Sequence, residues 1–142
     1  MTDNQYHAKE WLNRAYDRAQ ELETLYKTRE AILADMGGVA NYAPEFPARN
    51  PEAAQNKLAR YSMVCAKIEK LEKELKAEHE KTRKICEKLP KSKYRTLLIL
   101  RYTDYMSWQR IAKIINYSEA RTYELHREAL ELIYKFVPKT KY

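Results

Sequence analysis

The sequence predicts an all-α protein: a long antiparallel helical hairpin that forms a coiled-coil arm, followed by a small unit of three helices. Three observations predict it. Only two glycines occur in 142 residues, Lys, Glu, Leu and Ala are abundant, and no long alternation of β-branched residues offers a strand. Apolar residues recur at spacings of three and four on both sides of a break that contains Gly37, Gly38, Pro44 and Pro47. Near the C-terminal end, two short helical periods flank a polar break at Asn116 to Ser118. On this basis the arm covers residues 1–89 and the globular unit residues 90–142.

Thr2 and Gln5 have the spacing of a capping box, and the helix they announce meets no proline or glycine before about Met36. Its apolar stripe passes through Ala8, Leu12, Ala15, Ala19, Leu22, Tyr26, Leu33 and Met36, widened by Trp11, Leu25 and Ile32. Glu10, Arg14, Asp17 and Glu21 are expected on the face toward water. Gly37 and Gly38 are expected to end this helix, and a connector follows to Asn50, in which Tyr42 and Phe46 would plug the end of the helical pair. Asn50, Pro51 and Glu52 then supply a cap, a first-turn proline and a first-turn acid.

The second long helix is predicted from Pro51 to about Leu89, ~58 Å if straight. Tyr61, Val64, Ile68, Leu71, Leu75, Glu78, Thr82, Ile85 and Leu89 form a heptad seam that Glu78 and Thr82 weaken midway. The flanking Lys67, Glu69, Lys70, Glu72, Lys73 and Glu74 carry both signs and read as a solvated face. The wide stripe on the first helix calls for a second buried face, so a homodimer is expected, with self-association assigned to residues 1–89.

Pro90 stops or redirects the helix, and Lys91 to Tyr102 is predicted as the first helix of the globular unit. Leu97, Leu98, Ile99 and Leu100 make it too apolar for a surface position. After a turn at Thr103 to Met106, Ser107 is placed to cap a helix whose apolar face is Trp108, Ile111, Ala112 and Ile115. Ser118 is placed to cap the next, with Leu125, Ala129, Leu132, Ile133 and Phe136 as its buried stripe. Two short helices this close together read as a helix-turn-helix whose second helix enters a DNA major groove. The basic tail from Pro138 to Tyr142 is expected to fray.

Charge supports the same reading. The formal net charge is +7, yet residues 1–87 hold 15 basic and 15 acidic side chains, whereas residues 88–142 hold 12 and 5. The whole excess therefore lies on the unit with the two short helices, as phosphate binding requires. Cys65 and Cys86 lie on one predicted helix, ~31 Å apart at 1.5 Å per residue, too far for an internal disulfide, and neither has partners at metal-site spacing. Free thiols, the lack of a signal peptide pattern and the lack of a long uncharged apolar run make a cytoplasmic location the expectation, with no membrane partner. No phosphate loop, paired-histidine motif, serine elbow or acid cluster appears, so neither an enzyme nor a cofactor is expected. His126 is read as packed within the fold, and most of the twelve tyrosines as core or interface residues, with Tyr123 the exception.

Residues 89–133 resemble region 4 of bacterial sigma factors. The likeness starts at Leu89 and Pro90, runs through Leu97, Leu98, Leu100, Arg101 and Tyr102, and continues in Ser107, Ile111 and Ala112. It is strongest in Ser118 to Arg121, Leu125 with His126, and Ala129 with Leu130. The chain departs from the family at Thr122, where an apolar branched residue is usual, and at Asn116, where glycine is usual. A helical N-terminal arm joined to such a unit resembles small phage regulators of the ArpU/RinA late-transcription type. What the resemblance implies is a phage or prophage transcription activator that binds double-stranded DNA and works with host RNA polymerase. Position by position, Glu119, Ala120, Arg121, Tyr123 and Glu124 would face the bases, and Arg127 the bases or the backbone. Lys93, Arg95, Ser107, Arg110, Lys113 and Ser118 are the candidates for phosphate contacts. Two alternatives stand beside this one: a small terminase-like DNA-recognition subunit for genome packaging, and a protein-binding adaptor that keeps the sigma-like fold.

Overall fold

The structure, a computed structural model, describes residues 1–40 and 51–139, and every element in it is helical. The expectations for Tyr42, Phe46, the Asn50 cap and the last three residues of the tail fall outside the described residues. Among the described residues there are six α-helices: α1 Asp3–Leu12, α2 Tyr16–Ala40, α3 Pro51–Cys86, α4 Ser92–Tyr102, α5 Trp108–Ile115 and α6 Glu119–Ile133. A short 3-10 turn, Tyr134–Phe136, follows. None is long and apolar enough to cross a membrane among the described residues.

Local chemistry sets most helix ends. The Thr2 hydroxyl accepts from the Gln5 N–H at 3.2 Å while the Gln5 side chain accepts from the Thr2 N–H at 2.8 Å, so both halves of the capping box are made. Pro51 opens α3, where its missing N–H removes no intrahelical bond. The glycine pair does not end α2, which continues to Ala40. Glycine in a helix interior costs about 1 kcal/mol relative to alanine, a penalty that neighbouring residues can carry.

The single N-terminal helix expected to Met36 is instead two helices. Between them the Arg14 N–H bonds the Trp11 carbonyl at 3.2 Å and the Tyr16 N–H bonds the Asn13 carbonyl at 3.0 Å, so the chain tightens into a turn over residues 13–15. Arg14 is the cause to which the contacts point. Its Nε donates to Glu78 at 2.7 Å, its Nη2 to the Glu78 carbonyl at 2.8 Å, and its Nη1 to the Trp11 carbonyl at 3.0 Å and the Thr82 hydroxyl at 3.1 Å. The guanidinium lies 3.8 Å from the centre of the Trp11 ring. Arg14, expected in water, is thus 7% exposed, and the two residues that interrupt the apolar seam of α3 are its partners.

Contacts divide the chain into two compact units, and the division differs from a cut at residue 89. One comprises residues Asp17–Leu75. In it Leu22 and Ile32 of α2 pack with Val64 and Ile68 of α3, flanked by Leu25, Tyr26, Met36, Tyr61, Leu71 and Leu75. Arg18 approaches Glu74 at 4.0 Å and Asp35 approaches Lys57 at 3.0 Å, so residue numbers rise along α2 as they fall along α3. Leu33, expected in the stripe, is 44% exposed, because Ile32 one position earlier takes the inner face.

The other unit joins Met1–Tyr16 to Lys76–Tyr142. Its core combines Ala8, Trp11 and Leu12 of α1, Cys86 at the end of α3, Leu89 in the turn after it, Leu97 and Leu98 of α4, Ile111 of α5, and Leu125, Ala129, Leu130 and Ile133 of α6. Helix α1 lies on α6, held at its rim by Thr2 Oγ1 and Asn4 Nδ2 on the Glu131 carboxylate, at 2.8 and 3.2 Å, and by Gln5 Nε2 on the Arg127 carbonyl at 3.0 Å. Leu130, not the expected Leu132, faces inward; Leu132 is exposed. Burial pushes the Cys86 thiol up to about 12, which makes it an inert packed group, and Cys65 is a half-buried free thiol.

Candidate functional site

Helices α4, α5 and α6 pack on one another, and two serines and an asparagine set both ends of α5 and the start of α6. Ser107 Oγ accepts from the Arg110 N–H at 3.3 Å and Ser118 Oγ from the Arg121 N–H at 3.1 Å, so both serines cap as predicted. Asn116 ends α5 with φ 68° and ψ 42°, a left-handed conformation that asparagine tolerates better than most residues with a Cβ. Thr122 is fully buried, yet its hydroxyl donates to the Ser118 carbonyl at 2.8 Å, so the polar atom is satisfied at the position where the resembled family usually carries an apolar side chain.

Beyond this turn α6 turns its buried stripe inward and leaves Glu119, Ala120, Tyr123, Glu124 and Arg127 exposed on its first two and a half turns. Arg121 is half-buried and engaged: its Nη1 lies 2.9 Å from Glu124 and 3.2 Å from Glu128. These hydrogen bonds raise its pKa further, with Glu124 the larger contributor. Tyr123 rests its ring 5.4 Å from that of Trp108.

Among the phosphate candidates, Ser107, Arg110, Lys113 and Ser118 are exposed on α5 or at the starts of α5 and α6. Lys93 holds its Nζ over Tyr94 at 5.4 Å and Tyr117 at 6.0 Å. Arg95 has a structural task, since its Nη1 donates to the Leu89 carbonyl at 2.6 Å and closes the turn after α3.

His126 is buried as expected. Its Nε2 shares a 2.6 Å hydrogen bond with the Tyr102 hydroxyl, and Trp108 lies 4.4 Å away between ring centres. Burial first, then the positive charges of Lys9, Arg101 and Arg127, bring its pKa down from 6.5 to about 3. Because the folded value lies below the unfolded one, the unfolded chain binds more protons between these values. Stability from this site is complete above about pH 6.5 and is lost as pH falls toward 3. Thermal unfolding followed by ellipticity should therefore show a fall in Tm from pH 7 to pH 5 that His126→Gln flattens; an unchanged slope in the variant would assign the acid sensitivity to other groups.

Two features were not foreseen. Glu124, Glu128 and Glu131 line an open groove with Met1, Thr2, Gln5 and Arg127. On the adjacent face, Lys9, Asn13, Arg101, Trp108, Tyr123, His126 and Arg127 surround a cleft of about 230 Å³ with Met1 and Tyr102. Lys9 carried no local sign of a role, since only the packing of α1 on α6 brings it to Arg127; Arg101 was visible in the sequence but read only as part of a resemblance. Among the described residues, no group of three His, Cys, Asp or Glu side chains could hold a metal ion.

Just over half of the chain, residues 58–133, matches the model of a protein family described as "Protein of unknown function (DUF1492)". No curated protein and no solved structure matches.

Proposed function

The chain belongs to the DUF1492 family, and we propose, from the geometry of its C-terminal helices, that it is a sequence-specific double-stranded DNA-binding protein whose α5–α6 pair acts as a helix-turn-helix. The observation that carries this reading is the tight left-handed turn at Asn116 between two serine-capped helices, the second of which leaves a polar row outside its buried stripe. Glu119, Ala120, Arg121, Tyr123, Glu124 and Arg127 form that row and would meet base edges, where arginine pairs with guanine and glutamate accepts from cytosine. Ser107, Arg110, Lys113 and Ser118 would meet phosphates, the serines at helix N-termini that favour anions, with Lys93 beside them. The excess of basic residues after residue 87 supports the same partner.

In this reading two copies associate through the α2–α3 arm and present two recognition helices to two half-sites, and the complex activates transcription with host RNA polymerase. Selection of bound duplex from a random pool tests it. An enriched motif supports sequence-specific binding, and a failure to retain any duplex at low salt would count against it. That failure would favour an adaptor, a reading with its own support: Glu119, Glu124, Glu128 and Glu131 outnumber Arg121 and Arg127 on α6. A ring of many copies in light scattering would favour the packaging subunit.

Substitutions should divide by role. Lys113→Ala is expected to weaken all duplexes alike and to lower the salt slope by about one ion. Arg121→Ala should instead reduce discrimination at one base pair, on the order of ten-fold, with less effect on random DNA. Binding isotherms on specific and random duplex over a salt series separate the two, and identical behaviour of both variants would contradict the assignment.

A further inference from the structure

The cleft between α1, α4, α5 and α6 gathers three cations from separate parts of the chain. Lys9 comes from α1, Arg101 from α4 and Arg127 from α6, and no carboxylate lines the cleft. Among the described residues none of the three makes an ion pair, whereas Arg14 and Arg121 are both neutralised. All three line the same cleft beside His126, with Arg127 also bordering the groove of Glu124, Glu128 and Glu131. Neighbouring cations without an ion-pair partner repel one another, and an anion placed among them offsets that repulsion.

The walls are as specific as the charges. Arg101 is held in place by the Met106 carbonyl, to which its Nη1 donates at 2.8 Å, and its guanidinium sits 4.7 Å from the Trp108 ring centre. One donor of the fork is used, and the others remain for a ligand. Trp108 and Tyr123 supply aromatic faces, and His126, neutral and bonded to Tyr102, closes the inner wall. At about 230 Å³ the cleft is smaller than the ~300–1,000 Å³ of sites for drug-sized ligands, which limits it to a single phosphate with one ring against it.

We propose that this cleft binds the phosphate group of one nucleotide, with Lys9, Arg101 and Arg127 as its cationic ligands and Trp108 and Tyr123 as the platform for the attached base. The nucleotide can come from two sources, a free nucleoside monophosphate or a residue of a DNA strand. Only the second source rests on the proposed DNA binding.

The test uses the full chain and two probes. Trp108 lines the cleft, whereas the other tryptophan, Trp11, is 3% exposed and serves as a constant background to the emission. Adenosine monophosphate is titrated against this emission, with inorganic phosphate and adenosine as partial ligands, and binding to duplex DNA is followed over a salt series. Lys9→Gln is the chosen variant, because Lys9 is exposed and its substitution leaves the core intact. If the source is a free nucleotide, adenosine monophosphate saturates the emission change and adenosine does not. Lys9→Gln then weakens binding on the order of ten-fold, and Lys9→Arg restores it in part. If the source is DNA, free nucleotide has no effect, and Lys9→Gln lowers the salt slope of duplex binding by about one ion. An absence of both effects overturns the proposal, and does so without touching DNA recognition if Lys113→Ala still lowers the slope. In a protein that binds no duplex, the adenosine monophosphate titration alone decides, and a flat titration overturns the inference.

Discussion

Replacing Arg14 with alanine is expected to lower the free energy of unfolding by about 3 kcal/mol, the lower end of the range for breaking a buried ion pair from one side. The side chain is 7% exposed and its partner Glu78 19%, so truncation leaves the carboxylate with only the 3.4 Å contact to Lys81, and the Thr82 hydroxyl without its donor, in a largely dry site. The Trp11 ring loses its cation at the same time. Burial by itself would raise the Glu78 pKa, but the hydrogen bond and charge of Arg14, helped by Lys81, outweigh it and leave the carboxyl below its usual 4.5. A depressed carboxyl pKa contributes stability that is present above about pH 4.5 and lost as the pH falls through the folded value. Arg14→Ala should remove that part of the acid dependence as well as lowering stability at neutral pH. Urea titrations at pH 7 and pH 4 measure both. A loss under about 1 kcal/mol, typical of exposed pairs, would show that the guanidinium is dispensable.

A fragment of residues 90–142 is expected to lack a stable fold, although it contains α4, α5 and α6 entire. Ala8, Trp11 and Leu12 from α1, Cys86 from the end of α3 and Leu89 from the turn after it belong to the same core as Leu97, Leu125 and Ile133. Burying a large apolar side chain contributes roughly 1.5–3 kcal/mol, so losing Trp11, Leu12 and Leu89 together approaches the 5–15 kcal/mol stability of a whole domain. Dispersed amide chemical shifts and a cooperative urea transition in the fragment would sink this expectation. Adding residues 1–16 in trans, as a peptide, should not suffice, because the end of α3 would still be missing.

These expectations also show which features were readable in advance. Helix starts were legible because a cap is a local event: Thr2, Pro51, Ser107 and Ser118 each act within four residues of themselves. The inward positions of α3 were legible for a related reason, since Val64, Ile68 and Thr82 follow one period and all are buried, although the helix ends at Cys86 and not at the expected Leu89. The break at residues 13–15 was not legible, because no glycine or proline marks it and the side chain that bonds across it meets Glu78 and Thr82, far along the chain. Leu33 and Leu132 show a different failure. Leu33 lies one residue, or about 100° of rotation, from Ile32, a choice that period alone leaves open, whereas Leu132 extends the Leu125–Ala129 row while the buried face of α6 runs instead through His126, Leu130 and Ile133. Of the candidate contacts, those on α5 and α6 followed from helical faces, whereas the ion pairs that hold Arg121 and the bond from Arg95 to the Leu89 carbonyl depend on packing.

The docking of α1 on α6 has a consequence for the order in which the chain can fold. Thr2 and Glu131, which touch, are separated by nearly the whole sequence, and the Asp17–Leu75 unit is threaded between the two halves of one core. Closing so long a loop carries an entropy penalty before any contact offsets it, and topologies rich in such distant pairings fold slowly. During synthesis the Asp17–Leu75 unit has all its own residues well before α6 emerges. Until then Trp11 and Leu12 have no cover from α6, and the newborn chain carries an adhesive N-terminal helix whose partner has yet to be made.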